Sequence, residues 1–124
     1  MKYLLDTHVI LWYFEDSDEL SQKSEGIIDD PINSIYVSTA SLWEVVIKIS
    51  LGKLDVSLEV LLNEIENAGF TVLQTENVYL RELLNLPQIH KDPFDRLFIA
   101  TAISEKMTIV TIDENIQKYD VSWI

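Results

Sequence analysis

The chain has 124 residues, 48% of them hydrophobic, with only three Gly and three Pro, which excludes a disordered polypeptide and leaves room for one domain with one core, spanning residues 1–124. Its formal net charge of −12, from 21 Asp and Glu against nine Lys and Arg, excludes a general electrostatic grip on nucleic acid, because phosphate contacts need cations. Cysteine is absent, which excludes disulfides and thiolate metal sites; with a charge at Asp6 and no run approaching ~18 apolar residues, a soluble cytoplasmic protein with no membrane partner is expected.

Tyr3-Leu4-Leu5 reads as a short buried strand. Val9, Ile10, Trp12, Tyr13 and Phe14 follow too closely for alternation and predict a helix from about Thr7, leaving Asp6 at the strand-to-helix passage. After a solvated acidic stretch, Glu15 to Glu19, Ser21 is placed to cap a short helix ending near Asp30-Pro31. Ile35 to Ser38 is a second buried strand, and the Ser, Thr and Ala residues after it open a helix to about Leu51 with Glu44 in its early turns. Leu58, Leu61, Leu62, Ile65 and Ala68 keep helical spacing up to a stop at Gly69. A brief strand at Phe70 to Leu73 and a helix ending before Pro87 come next.

In His90-Lys91-Asp92-Pro93-Phe94-Asp95, Asp92 suits the N-cap, Pro93 the first helical position and Asp95 the third. The helix that follows, to about Lys106, is apolar nearly all round and belongs inside the core. Thr108 to Ile112 reads as another buried strand, with Asp113 after it and a short helix through Ile116, and Val121 to Ile124 as a terminal strand. Strands alternating with helices imply a three-layer α/β domain: a mainly parallel twisted β-sheet flanked by helices. Ligands of such sheets bind beyond the carboxyl ends of the strands. Asp6 and Asp113 stand at two such ends, Glu44 beyond a third and Asp95 on a helix opening, so four acids are expected to converge on one rim.

Clustered carboxylates repel one another, and a divalent cation reverses that penalty. An Asp-rich rim without Cys or His suits Mg²⁺ better than zinc. The chemistry that follows is hydrolysis of a phosphodiester by activated water. Each acid also has a purely structural reading. Asp6 and Asp113 could cap helices, Glu44 could pair with Lys48 four residues on, and Asp95 could cap reciprocally with Asp92. Asp92 itself reads first as a cap and second as an auxiliary of the metal site. Arg96 could contact a phosphate, the acidic rim or Asp92. His8 and His90 read as satisfied polar residues and not as ligands. Trp12, Trp43 and Trp123 read as core or as a dimer surface. A phospho-receiver domain would need a Lys near the last strands, and Lys106 and Lys118 are poorly placed for that.

Four segments together resemble the PIN-domain family, and within it the VapC-like toxins of toxin–antitoxin pairs: Leu4 to Trp12, Val37 to Glu44, His90 to Ala100, and Ile109 to Asp113. The third, with Asp92-Pro93-Phe94-Asp95-Arg96, is the most specific. The resemblance spans essentially the whole chain and implies an endoribonuclease with Mg²⁺, or Mn²⁺ in its place, held directly by Asp6 and Asp95. Glu44 and Asp113 would hold coordinated waters or a second ion, and Thr7 and Thr111 would orient these groups by hydrogen bonds. It further implies RNA as substrate, a cognate antitoxin that occludes the site, and a homodimer. Two divalent ions bring −12 to about −8, so phosphate binding would rest on the ions and a few cations such as Lys48, Lys91 and Arg96. The competing reading is a non-catalytic PIN-like interaction module whose acidic rim receives a basic partner.

Overall fold

The computed structural model describes residues 1–124. Its elements in chain order are β1 (Lys2–Leu5), α1 (Thr7–Phe14), α2 (Gln22–Asp29), β2 (Ser34–Ser38), α3 (Thr39–Ser50), α4 (Leu58–Asn67), β3 (Thr71–Leu73), α5 (Asn77–Asn85), α6 (Pro93–Glu105), β4 (Thr108–Val110) and α7 (Glu114–Gln117). The strands form one sheet in the order β3-β2-β1-β4, and every pairing is parallel. Tyr3 lies beside Ile35 on one side and Thr108 on the other, and Leu5 beside Val110. The chain builds outward from β1 through β2 to β3, then returns to add β4 on the opposite side of β1. That reversal makes the carboxyl ends of β1 and β4 the switch point, where open α/β sheets bind ligands.

Period-two alternation along β1 splits the core. Tyr3 and Leu5 point into a cluster with Val9 and Ile10 of α1, Val45 of α3, and Leu61 and Ile65 of α4. Leu4 points the other way, onto Phe98, Ile99 and Ala102 of α6, Ile109 of β4 and Ile116 of α7. Both faces of the sheet are therefore covered, which is why its strands read as continuous apolar runs. Helix α6, apolar nearly all round in sequence, buries Phe98, Ile99, Ala100, Thr101 and Ala102 in succession.

The helix ends follow the sequence punctuation. Ser21, Ser38, Ser57, Asp92 and Asp113 each accept a backbone N–H of the helix they precede, satisfying donors that would otherwise lack partners. Gly69, the expected stop, and Gly52, just past the end of α3, adopt φ of +78° and +71°, the left-handed region in which glycine carries no Cβ penalty.

Two boundaries differ from expectation. The predicted terminal strand, Val121 to Ile124, is an isolated parallel bridge between Ile109 and Trp123. Its hydrogen bonds run from Ile109 N–H to Ser122 O and from Ile124 N–H to Ile109 O, both at 2.8 Å. The chain bends from Tyr119 to Val121, so pairing begins only at Ser122, and it continues as far as the Thr111 N–H, which donates to Ile124 O at 3.1 Å. The strand predicted from Thr108 to Ile112 stops at Val110, because the Thr111 side chain turns toward Asp6 and Ile112 is exposed.

Candidate metal centre

Asp6 leaves β1 and caps α1, and its residue is only 8% exposed. One carboxylate oxygen, Oδ1, accepts the Thr7 N–H at 2.7 Å, and the other, Oδ2, accepts the Thr111 hydroxyl at 2.7 Å. The same Thr111 oxygen accepts the Asp113 N–H at 2.9 Å, while Asp113 Oδ1 caps α7 through the Asn115 N–H at 2.8 Å. On the other flank, the Thr7 hydroxyl donates to Glu44 Oε1 at 2.8 Å, and Lys48 stands 3.6 Å from Glu44 Oε2. Two threonine hydroxyls thus tie Asp6, Glu44 and Asp113 into one network at the carboxyl ends of β1, β2 and β4. The i to i+4 pair with Lys48 is present, and it occupies the carboxylate oxygen of Glu44 that Thr7 leaves free.

Asp95 arrives from the opposite side of the rim, on the first turn of α6. Asp92 Oδ1 accepts the N–H groups of Phe94 at 2.8 Å and Asp95 at 3.1 Å, with Pro93 at the first helical position. The capping is not reciprocal. Asp95 directs its carboxylate to His90 instead, with Oδ2 at 2.9 Å from Nε2. The preceding residue, Phe94, meets the Trp43 ring edge to face at 4.9 Å, which brings the start of α6 against α3, the helix that carries Glu44.

Electrostatics places Asp95 and Asp6 in a common field. Burial pushes the Asp95 carboxyl up to about 7; the charges of Asp92 and Asp6 add to the rise, His90 opposes it by hydrogen bonding, and Asp113 raises it again. Burial also raises Asp6, against the hydrogen bonds from Thr111 and Thr7 and the charge of His8, with Asp113 adding a further push upward. Two half-buried or buried acids made reluctant to ionise by burial and by one another are what a bound cation would relieve. The donors are carboxylate oxygens and one imidazole nitrogen, a set that fits a hard or borderline divalent ion and no thiophilic one.

The predicted residues are not gathered equally tightly. Ligand atoms of His90, Asp92 and Asp95 all lie within 4.8 Å of one another, whereas no three of Asp6, Glu44, Asp95 and Asp113 meet that spacing. Asp6, Glu44 and Asp113 share the threonine network, while Asp95 is bonded to His90 and meets them only through the charges of Asp6 and Asp113. The rim is also not a hollow: a cavity of about 390 Å³ lies at the other end of the strands, beside Ser34, Ile35 and Thr71. An open carboxylate rim suits a chain-like substrate lying across it better than an enclosed small molecule.

Two expectations need correction. The rim is not free of histidine, since His90 reaches Asp95; the signal missed was its place five residues before Asp95, just ahead of the capped helix. The Arg96 guanidinium pairs with no carboxylate, neither of the rim nor of Asp92. It is buried, and its guanidinium donates to Pro87 O at 2.8 Å, Tyr119 Oη at 3.2 Å, Leu86 O at 3.4 Å and His90 O at 3.5 Å. The tryptophans, read as core or as a dimer surface, divide: Trp12 is half-buried and packs against the core, while Trp43 is 59% and Trp123 47% exposed. His8, read as a polar residue without a ligand role, is exposed and stacks on Trp12 at 5.7 Å.

A parallel sheet with a buried carboxylate at its switch point and further acids around it defines a class: α/β domains with an acidic rim. Within that class, the chain belongs to the PIN domain family, whose model matches residues 3–122. Members of this family are typically metal-dependent nucleases. Among solved structures, the fold is similar to that of VapBC2 from Rickettsia felis bound to a promoter DNA fragment (TM-score 0.79, 17% identity, covering 100% of this chain and 98% of that one). It is similar also to DNA-bound VapBC from Salmonella typhimurium (0.70, 16%, 100% and 97%) and to VapBC-5 of Mycobacterium tuberculosis, a member of a toxin–antitoxin family (0.63, 17%, 99% and 95%). Comparison with curated protein sequences gives no match.

Proposed function

We propose that this PIN domain is a Mg²⁺-dependent endoribonuclease, with Mn²⁺ able to substitute, acting as the toxin of a toxin–antitoxin pair. The observation that carries the reading is the network in which Thr111 and Thr7 lock Asp6 to Asp113 and Glu44 while Asp95 faces the same charges from α6. In this reading Asp6 and Asp95 bind the cation directly, and Glu44 and Asp113 hold its water shell. Thr7 and Thr111 fix the rotamers of those acids, and Asp92 fixes the opening turn of α6 on which Asp95 sits. Bound there, the cation supplies Lewis acidity toward the phosphate and lowers the pKa of water for in-line attack.

RNA is held with little help from protein cations. Lys48 is occupied by Glu44 and Arg96 by backbone carbonyls, which leaves the exposed Lys91 as the phosphate-facing cation beside the site. Binding is accordingly weak and suits short flexible RNA. The antitoxin partner is supported by the VapBC complexes that share the fold. Exposed Val78, Leu80 and Leu84 on α5 and Trp43 on α3 offer apolar surface for that contact and for a homodimer.

The test is cleavage of cellular RNA by the purified chain. Activity is expected with Mg²⁺ or Mn²⁺, and its loss by at least about 100-fold with chelator, with Asp6→Asn and with Asp95→Asn, at unchanged circular dichroism. Activity that survives those changes rejects the mechanism. The charge of −12 favours a second reading, an acidic rim that receives a basic partner segment without cleaving anything. Calorimetry separates the two: the receptor reading predicts partner binding with no uptake of metal.

A further inference from the structure

The tightest cluster of ligand-type atoms in the molecule contains a nitrogen. His90 Nε2, Asp92 and Asp95 lie within 4.8 Å of one another, and the imidazole shares Asp95 Oδ2 at 2.9 Å. Two neighbouring ligands on an octahedral ion with bonds of about 2.1 Å stand about 3 Å apart, so the spacing fits a shared cation as well as it fits a hydrogen bond. Asp92 uses only Oδ1 for the helix cap, which leaves Oδ2 without a hydrogen-bond partner in the protein.

His90 is also held in place by a device that has no evident purpose in the core. Its N–H donates to Tyr119 Oη at 2.8 Å, and its carbonyl accepts from Arg96 at 3.5 Å. Arg96, itself buried, ties Leu86 O, Pro87 O and Tyr119 Oη together. A buried guanidinium satisfied by neutral acceptors alone is a costly construction. What it achieves is to fix the segment from Leu86 to His90, which has no regular structure of its own, against α6.

Resting on the metal-centre reading above, we propose that His90 is a ligand of the cation through Nε2, held in position by the Arg96–Tyr119 clamp, and that this nitrogen biases the site toward Mn²⁺ over Mg²⁺. Imidazole suits transition metals, whereas Mg²⁺ prefers oxygen and keeps its waters. Asp6 and Asp95 supply charge to either ion; His90 discriminates between them.

The experiment uses the full chain stripped of metal and loaded with Mn²⁺. Pulsed electron paramagnetic resonance is expected to show ¹⁴N coupling from one imidazole, and the chain has only two histidines, His8 and His90. The coupling should vanish in His90→Gln and persist in His8→Gln. By calorimetry, His90→Gln should weaken Mn²⁺ binding by about tenfold or more with a smaller effect on Mg²⁺. Tyr119→Phe should weaken Mn²⁺ binding in the same direction while the fold is retained. Mn²⁺ bound with no nitrogen coupling, or coupling that follows His8, overturns the inference and leaves the metal centre standing. Failure of the full chain to bind Mn²⁺ at all overturns the metal centre and the inference together.

Discussion

The acidic rim is built by two regions that solve the same problem differently. At the sheet edge, Asp6 and Asp113 are set by regular structure: each directly follows a strand or its first loop residues, and a single buried hydroxyl, Thr111, bridges them. At the opening of α6, Asp95 depends on a loop, and the loop depends on a clamp assembled from Arg96 and on Tyr119, twenty-three residues further along the chain. Precision at the sheet edge costs little, because the parallel ladder already fixes the backbone. Precision at the loop requires a buried cation. The difference suggests that the sheet edge stores the common part of the site, and the loop the part that tunes it.

The sharpest way to break this comparison is to remove the clamp. Arg96→Met keeps much of the aliphatic volume but leaves Leu86 O, Pro87 O and Tyr119 Oη short of a donor, so a loss of about 3 kcal/mol in unfolding free energy is expected from chemical denaturation. Limited proteolysis should open the segment from Leu86 to Lys91 while the sheet edge stays protected. Uniform loosening of both regions, or no loss of stability, would show that the two are not independently built.

Legibility in the sequence divides along the same line. Strand β1 followed by Asp6, and the capped opening of α6 with Asp95 at its third position, are local patterns, so the places of both acids and the parallel α/β fold could be read from spacing, whereas a ligand role for those acids came from the resemblance and not from spacing. Helix bounds also came through closely, because Ser, Asp and Gly act on neighbours within one turn. Arg96 was harder to read, since its guanidinium folds back onto the irregular segment from Leu86 to His90 and onto Tyr119 across the fold, and neither contact follows helical spacing. The short terminal bridge was missed for a related reason. Val121 to Ile124 has the apolar character of a strand, but the bend from Tyr119 to Val121 delays the pairing to Ser122.

A second prediction contrasts the two principal acids through pH. In the metal-free protein Asp95 is raised to about 7, by burial first and then by Asp92 and Asp6, against about 3.8 for the unfolded chain. A carboxyl raised on folding favours the folded state while protonated. Its contribution is therefore full below about 4, declines as pH rises, and is lost once pH passes about 7. The apo chain should thus lose several degrees of Tm between pH 5 and 8 through this group, and Asp95→Asn should flatten that segment of the profile. Saturating Mg²⁺ or Mn²⁺ should restore stability at pH 8. A profile unchanged by Asp95→Asn would mean that the loop region carries no such strain.

The smallest effect expected is at the sheet edge, from Thr111→Val. Valine keeps the β-branched shape in a buried position but removes the hydroxyl that donates to Asp6 Oδ2 and accepts from the Asp113 N–H. Loss of those two bonds should cost about 1–2 kcal/mol in the metal-free chain, less than the clamp because the ladder continues to hold the backbone. The Thr111 bond also lowers the Asp6 pKa against burial, so its removal should raise that pKa further. Metal uptake would then need a higher pH, since the cation competes with a proton on Asp6. Calorimetric titration with Mn²⁺ at two pH values should show the variant penalised more at the lower one. An equal penalty at both would assign Thr111 to packing alone, and Asp6 would then owe its alignment to the Thr7 amide and the strand end.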